Sequence, residues 1–385
     1  MKRSGLILFA VILMLAAALG CQRRPLDYYY RPTCRVILKV DWSNFPETPS
    51  GMTAYFYRDG DDAPTVFTTA DVHYAELELK AGHYKGFVIN QSPDEFWTFG
   101  FNRMNSWNEA NASLAMTRTK WYQSKTTSRD GVDENAVALA PENLGVAQLE
   151  EFDITDEMVE RYQAQYADWR TKTKAYDTKV KANASTKSLE DDMNNSRAML
   201  DELTVVISTV AYNVISELRV RVYVDGIYNL YSARASMTGL ASDYIFSRSR
   251  NGDESTVQLL ESDTWRKTVS DSDPTRGYIE SKITTLGLPG ITGPISYRDP
   301  DLNIFGLSCL LVDLSTQKDN DFPVGNRFTV ENGVSGLKLV LNLNLGTLDE
   351  PAIALPDVPP YGGTGSGFDA TVDDWEEGET VEIPM

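Results

Sequence analysis

The sequence predicts a mostly β protein, two antiparallel β-sandwich domains with a helical insertion between them. Three observations carry that expectation. Cys34, Val36, Leu38 and Val40 alternate with residues such as Arg35 and Lys39, the period-two signature of a half-buried strand. The same alternation returns at Leu218, Val220, Val222 and Val224, and again at Leu337, Leu339, Leu341, Leu343 and Leu345. Between these runs, Tyr162, Tyr166, Trp169, Tyr176 and Val180 recur at helical spacing, with Lys and Asp on the other faces. A chain of 385 residues is long enough for two domains, each with its own core.

The chain begins MKRSGLILFAVILMLAAALGC. Lys2 and Arg3 precede an apolar run from Leu6 to Leu19 that is too short to stay across a bilayer, so it reads as a signal peptide, residues 1–20. Ala18, Leu19 and Gly20 lead straight into Cys21, which resembles the lipobox of bacterial lipoproteins, with Ala18 where Leu is commoner. That resemblance implies cleavage before Cys21 and acylation of its sulfur and new amino group, palmitate included. Each buried methylene adds roughly 0.8 kcal/mol, so several acyl chains hold the protein firmly at a membrane. The expected location is the outer membrane, lipid-anchored, at the cell surface. The leader 21–33 lacks an acidic cluster after the cysteine that resembles a surface-export signal, and either membrane face is compatible with it.

From Cys34 the strands follow one another. Pro46, Pro49 and Gly51 break the first, and Thr53 to Tyr57 forms the second, closed by the turn Asp59-Gly60-Asp61-Asp62. His73 to Leu79 and His83 to Asn90 flank Lys80-Ala81-Gly82 and read as a hairpin. Leu144 to Ile154 supplies a last strand, so the first sandwich is expected over 34–154. The helical insert covers 155–203: Thr155 or Asp153 caps its start, and Leu189, Met193, Leu200 and Leu203 mark a second, shorter helix. Its aromatic stripe is expected to face a core. The second sandwich occupies 204–346, with Asp225-Gly226 as a turn. Residues 347–385 hold a Pro- and Gly-rich linker and an acidic, strand-prone tail. There Phe368 and Val372 alternate with Asp369, Thr371 and Asp373, which makes them the candidate buried anchors of a pairing strand.

The chemistry in the side chains is sparse. The two positive charges of the signal peptide leave with it, so the net charge moves from −19 to −21, which disfavours nucleic acid and anionic headgroups as partners. Only His73 and His83 are present, and no H-E-x-x-H, G-x-S-x-G or Walker pattern occurs. Gly363, Gly365 and Gly367 follow a proline-rich linker and precede no helix, so no phosphate cradle is expected. The clusters Asp59–Asp62, Asp271–Asp273 and Asp319–Asp321 read as solvated turns. Cys34 and Cys309 sit in strand-like runs far apart and read as two separately buried thiols. No catalytic residue, metal site or cofactor is expected, and the protein is not read as an enzyme. The aromatic stretch with Trp97, Trp107 and Trp121 is the one place where sugar rings could stack.

The runs CRVILKVDWSNFP, SGMTAYFYRDG and LKAGHYKGFVINQSPDEF, then GIYNLYSARASMTGLASDYIFS and the final FDATVDDWEEGETVEIPM, resemble a family of Bacteroidales cell-envelope lipoproteins of unassigned activity. That family is similar to FimB-like fimbrial anchor and minor-subunit lipoproteins of the fimbrillin superfamily. The elements V-D-W-S, A-G-x-Y and T-G-L-A carry the likeness by their order. It implies two transthyretin-like sandwiches and a role in fimbria-like assembly, anchoring or adhesion, with fimbrial subunits as partners. The helical insert departs from the family pattern. β-Strand pairing is the expected chemistry, and a glycan-binding outer-membrane lipoprotein, with a glycan or host-surface ligand, is the alternative.

Overall fold

The computed structural model describes residues 32–119, 136–182, 185–290, 295–333 and 336–362. Its strands form four sheets. The first, seven-stranded, has the order β3 (Thr65–Thr69), β2 (Met52–Arg58), β5 (Gly82–Ile89), β10 (Gly145–Ile154), β11 (Val205–Asn213), β1 (Thr33–Asn44) and β4 (Tyr74–Lys80). The second has β15 (Arg250–Asn251), β14 (Asp243–Ile245), β7 (Asn111–Leu114) and β6 (Phe99–Asn102). The third runs β20 (Gln317–Pro323), β19 (Ile304–Leu311), β13 (Leu230–Ala241), β16 (Ser255–Leu260), β9 (Ala136–Ala138) and β8 (Met116–Arg118). The fourth runs β17 (Arg266–Val269), β18 (Arg276–Thr285), β12 (Ser216–Asp225), β22 (Leu339–Leu345) and β21 (Thr329–Asn332), with β23 (Ile353–Ala354) also on β12. The protein is therefore mostly β, with a helical insertion.

The alternations read from sequence become inward faces. Leu218, Val220, Val222 and Val224 are all essentially without exposure, and Leu341, Leu343 and Leu345 join them in a core built between the third and fourth sheets. Full burial of each such side chain is worth roughly 1.5–3 kcal/mol. β12 is central: it pairs antiparallel with β18 and parallel with β22, so this sheet is mixed. Alternation specifies faces, not direction, and the long excursion between β12 and β22 is what permits the parallel pairing.

A second core gathers Tyr55, Tyr57, Phe87 and Val146 from the first sheet with Phe99, Ala112, Leu114, Tyr244 and Phe246 around the second sheet. Segments distant in sequence share these sheets. β7 pairs with β14 and β9 pairs with β16, so 111–113 meet 243–245 and Ala138 meets Gln258. Phe246 has no exposure and stacks on Phe87 with ring centroids 4.1 Å apart.

The elements V-D-W-S, A-G-x-Y and T-G-L-A have structural reasons. In V-D-W-S, Trp42 Nε1 donates to Val72 O at 2.6 Å, and Asp41 accepts the Ser43 amide at 2.9 Å. In A-G-x-Y, Tyr84 is fully buried and stacks on Phe152. In T-G-L-A, Gly239 sits at a bulge of β13 with φ +73°, and a Cβ there would lie 2.0 Å from Leu302 O. Only glycine meets both demands.

His73 to Leu79 and His83 to Ile89 do not form the expected hairpin. β4 pairs at the edge beside β1, whereas β5 lies between β2 and β10. Ala81 is a bend at which the chain leaves one pairing for another. A Lys-Ala-Gly turn composition looks the same in either case, and only the partners distinguish them.

By its internal contacts the chain divides into two compact units, one holding the described part of Met1–Val36, Glu78–Gly82 and Asp153–Val205. This unit contains the insert, α1 (Asp156–Lys181) and α2 (Lys187–Glu202), placed between two strands that pair with each other, β10 and β11. Thr155 caps α1, its hydroxyl accepting the Met158 amide at 3.2 Å. Of the predicted stripe only Tyr162 is buried, with Val159 just before it and Leu200 of α2. Farther along, Trp169 lies under the Arg197 guanidinium at 5.3 Å and Val180 is exposed. Within the same unit Arg35 donates to Asp201 at 2.7 Å, and Cys34 Sγ faces Leu203 O at 3.7 Å.

Candidate functional site: the chain exit and two open edges

Among the described residues no group of three or more His, Cys, Asp and Glu could hold a metal ion. His73 and His83 lie apart: His73 Nδ1 faces Val40 O at 3.5 Å, and His83 Nε2 is 3.4 Å from Glu151. Cys34 and Cys309 are buried and unbridged. Burial pushes the Cys309 thiol up to about 12, and Asp319 adds to it. Among the described residues no helix is long and apolar enough to cross a membrane.

The aromatic candidates separate. Trp97 is 87% exposed, with its backbone amide donating to Glu142 at 2.7 Å. Trp107 packs against the second core, its ring 5.5 Å from Tyr57 and 6.3 Å from Phe87. Trp121, Cys21, Phe368 and Val372 lie outside the described residues.

The distinctive site is one end of the core between the third and fourth sheets, near the last of the described residues. Asp225 and Gly226 end β12 there, Gly226 with φ +72°. The chain returns from β22, and Arg276 Nη1 donates to Leu348 O and Asp349 O at 3.1 and 3.2 Å. β23 then pairs with the end of β12, and the Leu355 amide donates to Asp225 O at 2.9 Å. Finally the Tyr361 amide donates to Val312 O at 3.0 Å, while the Val312 amide donates to Asn229 O at 2.9 Å. Val312 opens the turn between β19 and β20. Asp313 builds that turn, accepting from the amides of Ser315 and Thr316 at 3.2 and 2.9 Å and from both hydroxyls. The Thr316 hydrogen bonds, with those of Ser315, pull the Asp313 carboxyl down to about 2.

Two strands that are outermost among the described residues reach this end. β20 begins just after the Asp313 turn and pairs with β19. β17 ends there, with Val269 opposite Gly277, and pairs with β18. Lys267 of β17 reaches inward and donates to Ile227 O and Leu230 O at 3.3 and 3.1 Å. An unpaired strand edge offers a row of main-chain donors and acceptors, so these edges can take up another strand. Their charges differ: β17 carries Arg266 and Lys267, whereas β20 carries Lys318, Asp319 and Asp321. Asp319 and Asp321 are thus on an edge strand, not in the turn expected of them. An exposed edge has no need of apolar alternation, and neither edge was visible in the sequence pattern.

The domain of unknown function DUF5119 matches residues 20–261. The chain belongs to that family. A solved structure of a candidate adhesin from Bacteroides ovatus is similar to this DUF5119 protein over 88% of this chain and 99% of the other, with 16% identity and a TM-score of 0.51. The fimbrial anchor protein Mfa2 from Porphyromonas gingivalis covers 81% of this chain and 90% of its own, at 10% identity and a TM-score of 0.43. The tip fimbrial protein Mfa3 from the same organism covers 79% and 84%, at 10% identity and a TM-score of 0.32. No curated protein matches the chain. The likeness to the Bacteroides ovatus structure shows a shared, mostly β fold.

Proposed function

We propose that this DUF5119 protein is a lipid-anchored cell-envelope subunit that acts in fimbria-like assembly or adhesion by β-strand pairing. Cys21 carries the lipid, and the acidic tail supplies a strand with Phe368 and Val372 as its buried anchors. The supporting observation is that Tyr361, bonded to Val312, lies at the end where β17, an outermost strand among the described residues, also ends. Residues 363–385 carry seven acids and no Lys or Arg, so charge favours the basic edge β17 over β20. Such a tail completes its own sheet first, because an intramolecular strand enjoys a high effective concentration. Offered to a neighbour's edge, the same pairing links subunits.

A cysteine pair, Thr268→Cys with Ala370→Cys, tests this. Oxidation is expected to close a ring within one chain in the monomer and a ladder of linked chains in assembled material. Absence of any cross-link in both, with rapid amide exchange across 368–383, would defeat the pairing. A second reading, glycan binding, draws on the open ring of Trp97. It requires a hit on a glycan array that Trp97→Ala removes.

A further inference from the structure

A groove of about 1040 Å³ lies between the end of β1, the strands β10 and β11, and Gly336, Leu337 and Lys338 just before β22. Its walls include Lys338, Tyr244, Tyr212, Gln148, Ser208 and Glu150. The Lys338 amide donates to Ile215 O at 2.7 Å, which fixes the residue at the groove. Its ammonium lies 5.7 Å from the centroid of the Tyr244 ring, and among the described residues no acid or carbonyl takes its protons. Burial lowers its pKa. The contrast is Lys267, equally shifted in direction by burial, whose ammonium is satisfied by two carbonyls. A half-buried ammonium against an aromatic face, with no carboxylate beside it among the described residues, can pair with an anion in the groove.

The rest of the groove narrows what would answer that charge. Tyr212 is 59% exposed and presents a ring on the wall, and Ser208 and Thr209 add hydroxyls. Glu150 lines the groove four residues along β10 from Val146, roughly 13 Å at the rise of a strand. A ligand that fits carries one negative charge at the Lys338 end and uncharged hydroxyls toward Glu150. A phosphate would call for several converging donors, and the groove provides one cation. A polyanionic strand would meet Glu150 and the chain's own excess of acids.

We infer that this groove binds an acidic sugar, with Lys338 pairing its carboxylate and Tyr212 stacking on its ring. Neither edge strand nor Trp97 lines the groove, so the site stands whether or not the tail pairs with β17.

Titration calorimetry on the detergent-solubilised full chain, with D-glucuronate and D-glucose as probes, tests it. Glucuronate is expected to bind at least about tenfold more tightly than glucose. Lys338→Met is expected to abolish that preference without lowering the melting temperature, since it removes a half-buried charge and keeps the bulk. Lys338→Arg retains the preference, and Tyr212→Ala weakens both sugars. Equal affinity for the two sugars, or an unchanged preference in Lys338→Met, overturns the inference. So does a synthetic 368–385 peptide that binds the groove and displaces glucuronate, because the occupant is then the tail. If Lys338→Met does not fold, the glucuronate-to-glucose ratio and the Tyr212→Ala response still decide.

Discussion

Phe246→Ala should unfold strands that lie far from it in sequence. Phe246 is fully buried and stacks on Phe87 at 4.1 Å with ring planes 7° apart, and it also faces Phe101 and Tyr244. Phe to Ala in a core costs about 3–5 kcal/mol, and loss of a stacked pair places this site in the upper part of that range. Against a typical stability of roughly 5–15 kcal/mol, the melting temperature should fall on the order of 10 °C. The location of the damage is the sharper readout. Amide exchange should accelerate in β2 and β5, whose Tyr55, Tyr57 and Phe87 share the core with Phe246. The Gln148 side chain donates to the Phe246 carbonyl at 2.7 Å, so β10 should respond as well. Acceleration confined to residues 204–345, with β2 and β5 unchanged, would refute the shared core.

Asp313→Asn should loosen the β19–β20 turn. Its carboxyl titrates near 2 in the folded protein and near 4 unfolded, so its contribution is complete above about pH 4 and is lost as pH falls through 2. An acid unfolding curve for the variant that overlays the parent's would show that the turn contributes nothing. Cys34 and Cys309 should resist iodoacetamide at pH 8 in the native protein and react in denaturant, since both thiols are buried and raised in pKa. Rapid native labelling, read by mass, would contradict that burial. Leu200→Ala should cost about 2–5 kcal/mol, because Leu200 is the buried apolar side chain of α2; an unchanged melt would mean the helix packing adds nothing to stability. Cys21→Ala should move the protein from the membrane to the soluble fraction, and unchanged fractionation without incorporated palmitate would exclude lipid attachment.

Local patterns in the sequence determined a good deal. Alternation at Cys34–Val40 and Leu218–Val224 designates one buried face per strand because side chains on a strand change sides at every residue. Helical spacing and a capping threonine mark out α1 because both act within a few residues of the chain. The turns at Asp59-Gly60 and Asp225-Gly226 are local for the same reason, both glycines having positive φ. What pairs with what was decided only in three dimensions. Nothing in Lys80-Ala81-Gly82 tells whether the flanking strands meet, and nothing in β7 or β9 names β14 or β16 as partners. The edges β17 and β20 are exposed and carry no apolar signature, so they become visible only as the outermost strands of finished sheets. Lys338 is the clearest case: in sequence it is one lysine among many, and its meaning as a half-buried cation in a groove depends on which strands come together around it. Main-chain pairing and desolvation join residues irrespective of their separation along the chain, and for that reason only the tertiary structure contains them.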